Sequence, residues 1–381
     1  MQISRDRLTH RTRGANARGR ASRAIIFVSV LGAVVAVMPI IAAVVSSPGT
    51  PRGARTAFAS ASPGEYAVVA QTGEERDTIF VAPADGPDAA IEIASIPHLR
   101  GYSATGAVSP EGRRLALVVA DGGTPAYPSA SLYVLNLESA TLARVANGVD
   151  HLQTVAWAPD GQSIYFTRTA QGSGPRARVA IYRVGTAGDG EREVRGFEGV
   201  LGVYIAGIDP LGRLASVVID GRGSTAYRDG AEAAHLSTQI TRDWELSPDG
   251  EWLAFIESDA SAGLQYRAKV VSLAGSTQGQ VAAQSAGGGQ QLGVSWRPGA
   301  ASPTFGQEPA VTGAGVVAAQ AGTTGFDVPL AYSPGGEHLA VQHWSGAGFE
   351  RPGNVTLELL AEDGSRTALA EFTRFYGWAA R

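Results

Sequence analysis

The stretch that decides the fold reads WAPDGQSIYF from Trp157 to Phe166, and a near copy, LSPDGEWLAF, runs from Leu246 to Phe255. Each copy places Pro-Asp-Gly between two apolar runs. Proline presets φ for the second position of a tight turn, aspartate bonds back to nearby amides, and glycine accepts a positive φ. Each copy therefore predicts a tight turn between two short strands.

The same turn recurs along the chain at intervals of 36 to 51 residues. The repeat is marked by Pro63, Pro110, Pro159, Pro210, Pro248, Pro298 and Pro334, with steps of 47, 49, 51, 38, 50 and 36 residues. Within a unit, four short runs with period-two patterning are separated by Gly, Asp and Pro. A unit of four strands at this period is typical of a propeller blade. The sequence predicts an all-β fold, a β-propeller of six to seven four-stranded blades.

The end of the chain predicts how the ring closes. The last residues read FTRFYGWAAR, which matches the strand before a turn, with Trp378 in the position of Trp157 and Trp296. The first unit begins just after its turn and lacks an innermost strand. We expect the carboxyl-terminal strand to complete the first blade. Residues 299–325 have little patterning, and they leave open whether the blades number six or seven.

The SPDG turns followed by LAF-like strands resemble the WD40-like (PD40) repeat of TolB-type propellers. The resemblance covers about residues 60–381, and it implies fold far more strongly than function. The TolB-type family includes periplasmic protein-interaction scaffolds and the non-catalytic propellers of prolyl-oligopeptidase-like enzymes. The chain has no Gly-x-Ser-x-Gly elbow, so the hydrolase half of those enzymes is not indicated.

The amino terminus has the pattern of a membrane anchor. Residues 1–23 hold seven arginines against one aspartate, and residues 24–45 carry no charge over 22 positions. Such a run spans a bilayer as one helix, and the arginines place the tail in the cytoplasm. Residues 46–62 read as a flexible linker, and residues 63–381 form the extracytoplasmic propeller. The alternative is a cleaved signal peptide, with AFA at residues 57–59 as the cleavage pattern, and a secreted propeller.

Composition excludes several kinds of site. There is no cysteine, so disulfides and thiolate metal sites are ruled out. The overall charge of −4 includes +6 from residues 1–23, which leaves −10 for the rest and argues against a nucleic-acid partner. No motif for phosphate, calcium or zinc is present, so no cofactor is predicted. His338 and His343 are five apart on one strand and do not share a face, which makes them a poor metal pair.

One group of carboxylates is a candidate ligand site. We number positions by how many residues they precede the turn proline. The residue at position two is usually large, and we expect it to pack between blades. Strand alternation then turns positions three and five toward the central channel. Glu245 and Asp243 hold these positions in one strand, and Asp327, seven before its proline, lies nearer the channel mouth. They predict a site for a cation or an amine. The alternative is a water-filled channel, or an acid paired with Arg242 or Arg374.

These features favour a membrane-tethered extracytoplasmic scaffold in the cell envelope that binds a protein, peptide or other ligand. No catalytic residue is predicted. The alternative is a propeller enzyme, a lyase or hydrolase, that uses the channel carboxylates, and whether the chain is an enzyme is left open. A sensor that signals through the helix ranks behind both, because a 23-residue tail is short for an output domain.

Overall fold

The computed structural model describes residues 57–86, 89–151, 153–170, 177–259, 265–274, 282–283, 290–308 and 324–381. The predicted cytoplasmic tail, the predicted transmembrane helix and the first part of the linker lie outside these residues. Within the described ranges, no helix has the length and apolar character needed to cross a membrane. The described chain is almost entirely β-structure, with one short 3-10 helix at Phe58–Ser60.

Twenty-six strands are formed by the described residues. In chain order they are β1 (Glu65–Thr72), β2 (Arg76–Pro83), β3 (Ile91–Pro97), β4 (Thr105–Val108), β5 (Arg114–Thr124), β6 (Tyr127–Asn136), β7 (Thr141–Val149), β8 (Ala156–Trp157), β9 (Ser163–Thr169), β10 (Ala177–Gly185), β11 (Arg192–Val200), β12 (Gly202–Ile208), β13 (Leu214–Asp220), β14 (Gly223–Arg228), β15 (Ala231–Ser237), β16 (Ile240–Leu246), β17 (Trp252–Asp259), β18 (Gln265–Ser272), β19 (Ala282–Ala283), β20 (Gln290–Ser295), β21 (Thr304–Glu308), β22 (Phe326–Tyr332), β23 (His338–Trp344), β24 (Val355–Ala361), β25 (Arg366–Ala368) and β26 (Arg374–Ala380).

The strands form a six-bladed β-propeller. In the described part of the chain, six sheets have four antiparallel strands each, in the orders β26-β1-β2-β3, β4 to β7, β8 to β11, β12 to β15, β16 to β19 and β22 to β25. A two-stranded sheet of β20 and β21 lies between the fifth blade and the last. Of the weakly patterned residues 299–325, the structure describes 299–308 and 324–325, and among them β21 pairs with β20.

The ring closes through its two ends, as the sequence predicts. The final strand, β26, pairs antiparallel with β1, with Tyr66 opposite Ala379. The pairing extends past the strands, because the amides and carbonyls of Gly64 and Arg381 exchange hydrogen bonds of 3.0 and 3.2 Å. The innermost strand of the first blade therefore comes from the carboxyl terminus.

The Pro-Asp-Gly turns have the geometry that their residues predict. In two of them the glycine amide donates to the carbonyl three residues earlier, Gly161 to Ala158 at 2.9 Å and Gly250 to Ser247 at 2.8 Å. Gly250 has a φ of +74°, and a Cβ at this position would lie 2.3 Å from the Cβ of Asp209 in the preceding turn. Only glycine fits there, because both the backbone conformation and the close approach exclude a side chain.

The hydrophobic core is divided among the seams between neighbouring sheets. Between the last and first blades, Val69, Leu359, Phe372 and Trp378 are all buried in one cluster. The rings of Phe80 and Phe372 lie 5.3 Å apart there. A single four-stranded sheet cannot cover both of its apolar faces, so each blade depends on its neighbours for burial.

The last residues of the predicted linker pack against this core. Phe58 is 1% exposed, and its ring meets Tyr66 edge-on at a centroid distance of 5.2 Å. Phe58 belongs to the apolar cluster between the first and second blades. The propeller core thus includes a residue that precedes the first strand.

Candidate functional site

An open cavity of about 370 Å³ lies where the tight turns of the second to fifth blades meet. Its rim carries four turn prolines, all of them exposed: Pro110, Pro159, Pro210 and Pro248. Trp157, Ile208 and Leu246 add apolar surface, and Glu245 is the titratable group of the described lining. The repeat therefore builds a mainly apolar mouth with one carboxyl group in its wall. We call this cavity the channel mouth.

The large residues at position two pack between blades, as predicted. Each tryptophan there also donates its indole N–H to the main-chain oxygen of position three in the preceding sheet. The pairs are Trp157 with Ala107 at 2.8 Å, Trp296 with Glu245 at 3.2 Å, and Trp378 with Ala331 at 3.2 Å. A buried indole N–H needs an acceptor, and this position supplies one at three of the seams.

The prediction that position three faces the channel is wrong in detail. A Cβ built on Gly207 would lie 3.1 Å from Leu246, and one built on Gly377 would lie 3.1 Å from Val108, each in the next blade. Because propeller sheets stand radially, alternating side chains of an inner strand point to the two neighbouring blades. Residues at position three are small mainly because the next inner strand is close.

Glu245 follows this geometry and points to the next sheet as well as lining the channel mouth. Its Oε1 accepts a hydrogen bond from the Trp296 amide at 3.3 Å and from the Ser295 hydroxyl at 3.4 Å. Burial raises the pKa of the Glu245 carboxyl to about 8, against the opposing effect of these two long hydrogen bonds. At neutral pH the group is therefore mostly an uncharged carboxylic acid.

Asp243 is placed differently from the expectation. A β-bulge interrupts the pairing of β16 with β17 between Arg242 and Glu245, and Asp243 has a φ of +53°. The extra residue breaks the period-two alternation on which a shared face with Glu245 depended. The Asp243 carboxylate is 3.0 Å from Arg242 Nε, which is one of the alternatives left open by the sequence.

Asp327 is buried inside the last blade and is fully engaged by its neighbours. Its Oδ1 is 2.8 Å from His343 Nδ1 and accepts a hydrogen bond from Arg366 Nη1 at 3.1 Å. Arg366 Nη2 donates to the other carboxylate oxygen, and Nη1 also bonds Glu358 at 2.6 Å. The structure thus places the three predicted carboxylates in separate environments. Their binding of a ligand stays a prediction.

Two groups of described residues have the donor atoms to hold a metal ion. Asp327, His343 and Glu358 form one, and Glu65, Glu337 and His338 form the other. His338 and His343 do lie in different clusters, as their spacing predicts. Each histidine meets carboxylates from other strands, and no local motif in the sequence signals that meeting.

A buried polar network beside the closing strand has no counterpart in the sequence predictions. His98 Nε2 is 3.1 Å from Asp77 Oδ1, its Nδ1 is 2.9 Å from the Leu99 carbonyl, and both side chains of the pair are fully buried. Asp77 also accepts the Ala104 amide at 2.7 Å, and Tyr376 of β26 donates to the Ala104 carbonyl at 3.2 Å. The network joins the first blade, the entry to the second blade and the closing strand.

The charge of His98 follows from its two acceptors. Burial lowers the pKa of the imidazole, but the hydrogen bond from the ring to Asp77, the Leu99 carbonyl and the charge of Asp77 outweigh burial. The pKa of His98 is therefore raised above its ordinary value, although the positive charge of Arg374 opposes the shift. An imidazolium can donate from both nitrogens, and each ring nitrogen of His98 faces an oxygen here.

The fold is similar to that of several solved propellers. TolB from Acinetobacter baumannii superposes with a TM-score of 0.51 at 17% identity, over 83% of this chain and 66% of the TolB chain. A prolyl endopeptidase gives 0.52 at 13% identity, over 83% and 50%, and puromycin hydrolase gives 0.51 at 16%, over 87% and 57%. This chain spans two thirds or less of each. No family model matches the chain, and no curated protein matches its sequence. The similarities show a β-propeller fold.

Proposed function

We propose that this protein is a membrane-tethered propeller of the cell envelope that binds a segment of a partner protein at the channel mouth. The observation that carries the proposal is the channel mouth itself, a mainly apolar cavity of about 370 Å³ rimmed by turn prolines. Concave apolar sites with few polar groups are the usual form of binding sites. The rigid turns also give a surface that loses little entropy on binding.

The tether is part of this proposal and rests on the arginine-rich tail and the uncharged run of residues 24–45. The burial of Phe58 supports an uncleaved chain, because a cut after Ala59 would remove Phe58 from the core cluster it fills. The expected result is a protein that stays in the membrane pellet after alkaline carbonate extraction. In intact cells stripped of any outer layer, added protease should reach the propeller.

The binding function is tested by crosslinking in intact cells, followed by purification of the full chain. Pro159→Arg and Pro248→Arg place a long charged side chain at the rim of the channel mouth. Proline at this turn position can be replaced at a cost of about 1 kcal/mol or less, so both variants should fold. The matched control is Pro125→Arg, an exposed proline of the β5–β6 hairpin, at the end opposite the tight turns.

A stoichiometric partner should be captured by the wild type and by Pro125→Arg and lost from both rim variants. A partner captured equally by all four proteins would contradict binding at the channel mouth. Melting temperatures of the purified variants show whether a loss of capture reflects unfolding.

A second candidate function is catalysis, and the Glu245 carboxyl is the observation that favours it. Burial raises its pKa to about 8 in the wall of a cavity, and strongly shifted acids in clefts are frequent at active sites. Two of the proteins with a similar fold, a prolyl endopeptidase and puromycin hydrolase, are enzymes, and this chain spans 50% and 57% of their lengths. Turnover in a small-molecule screen that Glu245→Gln abolishes, without any stoichiometric partner in cells, would favour the enzyme.

A further inference from the structure

The first and last blades meet at a cluster of three carboxylates around one imidazole. Glu65 begins β1, and His338 begins β23, so the cluster joins opposite ends of the propeller sequence. Glu65 Oε2 is 3.1 Å from His338 Nδ1, and Glu65, Glu337 and His338 each offer a ligand atom within 4.8 Å of the others. Asp85 Oδ1 lies 3.5 Å from the other ring nitrogen, Nε2. We call these four residues the seam cluster.

The seam cluster has an excess of negative charge. In the part of the chain that the structure describes, its ion-pair contacts run only between Glu65 or Asp85 and His338, and neither lysine nor arginine pairs with its carboxylates. The three carboxylates carry −3, which a protonated imidazole would reduce only to −2. Burial acts to raise the pKa of Glu65, but hydrogen bonds from Ser333, Gly335 and His338 outweigh it and lower the pKa, which keeps this carboxyl ionised and able to ligate a cation. A divalent ion between Glu65 and Glu337 would offset the repulsion between the two carboxylates.

The last blade also holds a second cluster of the same donor types, in which an arginine neutralises the carboxylates. Asp327, His343 and Glu358 have the same donor types at similar spacing. There Arg366 lies between the two carboxylates and bonds both of them. The guanidinium supplies in that cluster the positive charge that the seam cluster lacks.

The ligand atoms of the seam cluster are held in place by the surrounding turn. Glu65 Oε1 accepts the Gly335 amide at 2.9 Å, which leaves Oε2 directed at the imidazole. The His338 amide donates to the Ser333 hydroxyl at 3.1 Å. The side chains of Glu65 and His338 are 20% and 13% exposed, whereas Glu337 and Asp85 are exposed, so the site is open to an ion from solvent.

We propose that Glu65, Glu337 and His338 bind one divalent transition-metal ion, with Asp85 as the outer partner of the imidazole. A histidine that ligates a metal through one ring nitrogen usually donates a hydrogen bond from the other to a carboxylate. Asp85 lies beside Nε2 of His338, the nitrogen that would face away from the ion. One imidazole with carboxylates and water is a donor set that suits Zn²⁺ or Mn²⁺. Because the ligands come from the first and last blades, the ion would fasten the closed ring.

The test uses the untagged full chain in detergent, stripped with chelator and dialysed against ZnCl2 or MnCl2. One ion per chain is expected, together with a melting temperature that rises with metal concentration, since a ligand of the folded state stabilises it by mass action. Glu337→Gln and His338→Gln should each weaken binding by at least about tenfold. Glu337 is exposed, so Glu337→Gln should fold normally. It therefore tests the site even if His338→Gln does not fold.

His343→Gln is the matched control, because it removes a histidine from the cluster that Arg366 neutralises. It should bind metal as the wild type does. The proposal is overturned if the wild type binds neither ion, or if Glu337→Gln and His338→Gln leave the stoichiometry and affinity unchanged. Neither result bears on the channel mouth, which shares none of these residues.

Discussion

The indole nitrogen of Trp378 donates a hydrogen bond of 3.2 Å to the main-chain oxygen of Ala331. Trp378 lies in β26, which completes the first blade, and Ala331 lies in the innermost strand of the last blade. The closing strand is thus held on one side by main-chain pairing with β1 and on the other by this indole. The same bond recurs at Trp157 and Trp296, so closure repeats a contact used elsewhere in the ring.

Trp378→Phe is predicted to weaken closure. The substitution keeps an aromatic ring in the seam but removes the donor, which should lower the free energy of unfolding by about 1 kcal/mol. Trp378→Ala also leaves a cavity and should cost about 3–5 kcal/mol. Chemical denaturation measures both changes. The control is Trp252→Phe, because Trp252 is 42% exposed and should change stability by less than about 0.5 kcal/mol. Equal losses for Trp252→Phe and Trp378→Phe would refute the role of the indole bond.

His98 is predicted to make the propeller less stable as pH rises. Its folded-state pKa is raised above the unfolded value of 6.5, so its contribution is complete below pH 6.5 and is lost as pH rises through the folded-state pKa. His98→Gln should remove this loss. Thermal midpoints measured from pH 6 to 9 should therefore fall more steeply for the wild type than for the variant. Parallel curves would show that folding does not raise the pKa of His98.

Glu245→Gln is predicted to leave stability unchanged at low pH and to raise it at high pH. Burial raises the pKa of this acid from 4.5 to about 8, so folding becomes less favourable as pH rises between these values. Glutamine keeps the acceptor for Trp296 and Ser295 and never ionises. The variant should match the wild type near pH 5 and unfold at a higher temperature than the wild type at pH 9. A variant that is less stable at pH 9 would contradict a buried neutral acid.

The cluster around Asp327 is predicted to be structural. Arg366→Met leaves the buried Asp327 and the half-buried Glu358 without their cation, which should cost about 3–5 kcal/mol of stability. Asp327→Asn keeps the size of the side chain and leaves Arg366 paired with Glu358, so it should cost less. Urea denaturation of both variants measures the order. A larger loss for Asp327→Asn would show that the carboxylate, not the guanidinium, holds the cluster together.

The turns and the closing strand were predictable because their signals are local. Pro-Asp-Gly specifies a turn within four residues, and Trp378 occupies the same place in its unit as Trp157. Because the first repeat unit lacks its innermost strand, the sequence predicted that the last strand pairs with the first. The pairing of Tyr66 in β1 with Ala379 in β26 confirms this prediction. The repeat also predicted which large residues fill the seams.

The candidate site was harder to predict because its determinants are not local. Asp243 departs from strand alternation at a bulge, and a positive φ at a residue other than glycine has no clear sequence signal. The partner of Asp327 is Arg366, which lies 39 residues away on a different strand. The burial of His98 against Asp77 likewise depends on how the first blade meets its neighbours.

Closure of the propeller places the two ends of its sequence side by side in one sheet. Ala70 of β1 is directly opposite Arg374 of β26. Opposed residues of antiparallel strands have Cα atoms about 4.5–5.5 Å apart, which is within the range of a disulfide. The chain has no cysteine of its own, so the double substitution Ala70→Cys with Arg374→Cys gives an unambiguous readout.

Under mild oxidation this variant should form a disulfide within one chain, seen as faster migration on a non-reducing gel. The bond should raise the free energy of unfolding by about 2–4 kcal/mol, and reduction should reverse the gain. Ala70→Cys with Ser129→Cys, an exposed position on β6 of the second blade, should form none. Absence of the bond in monomers of the first variant, or crosslinks only between chains, would contradict the closed ring.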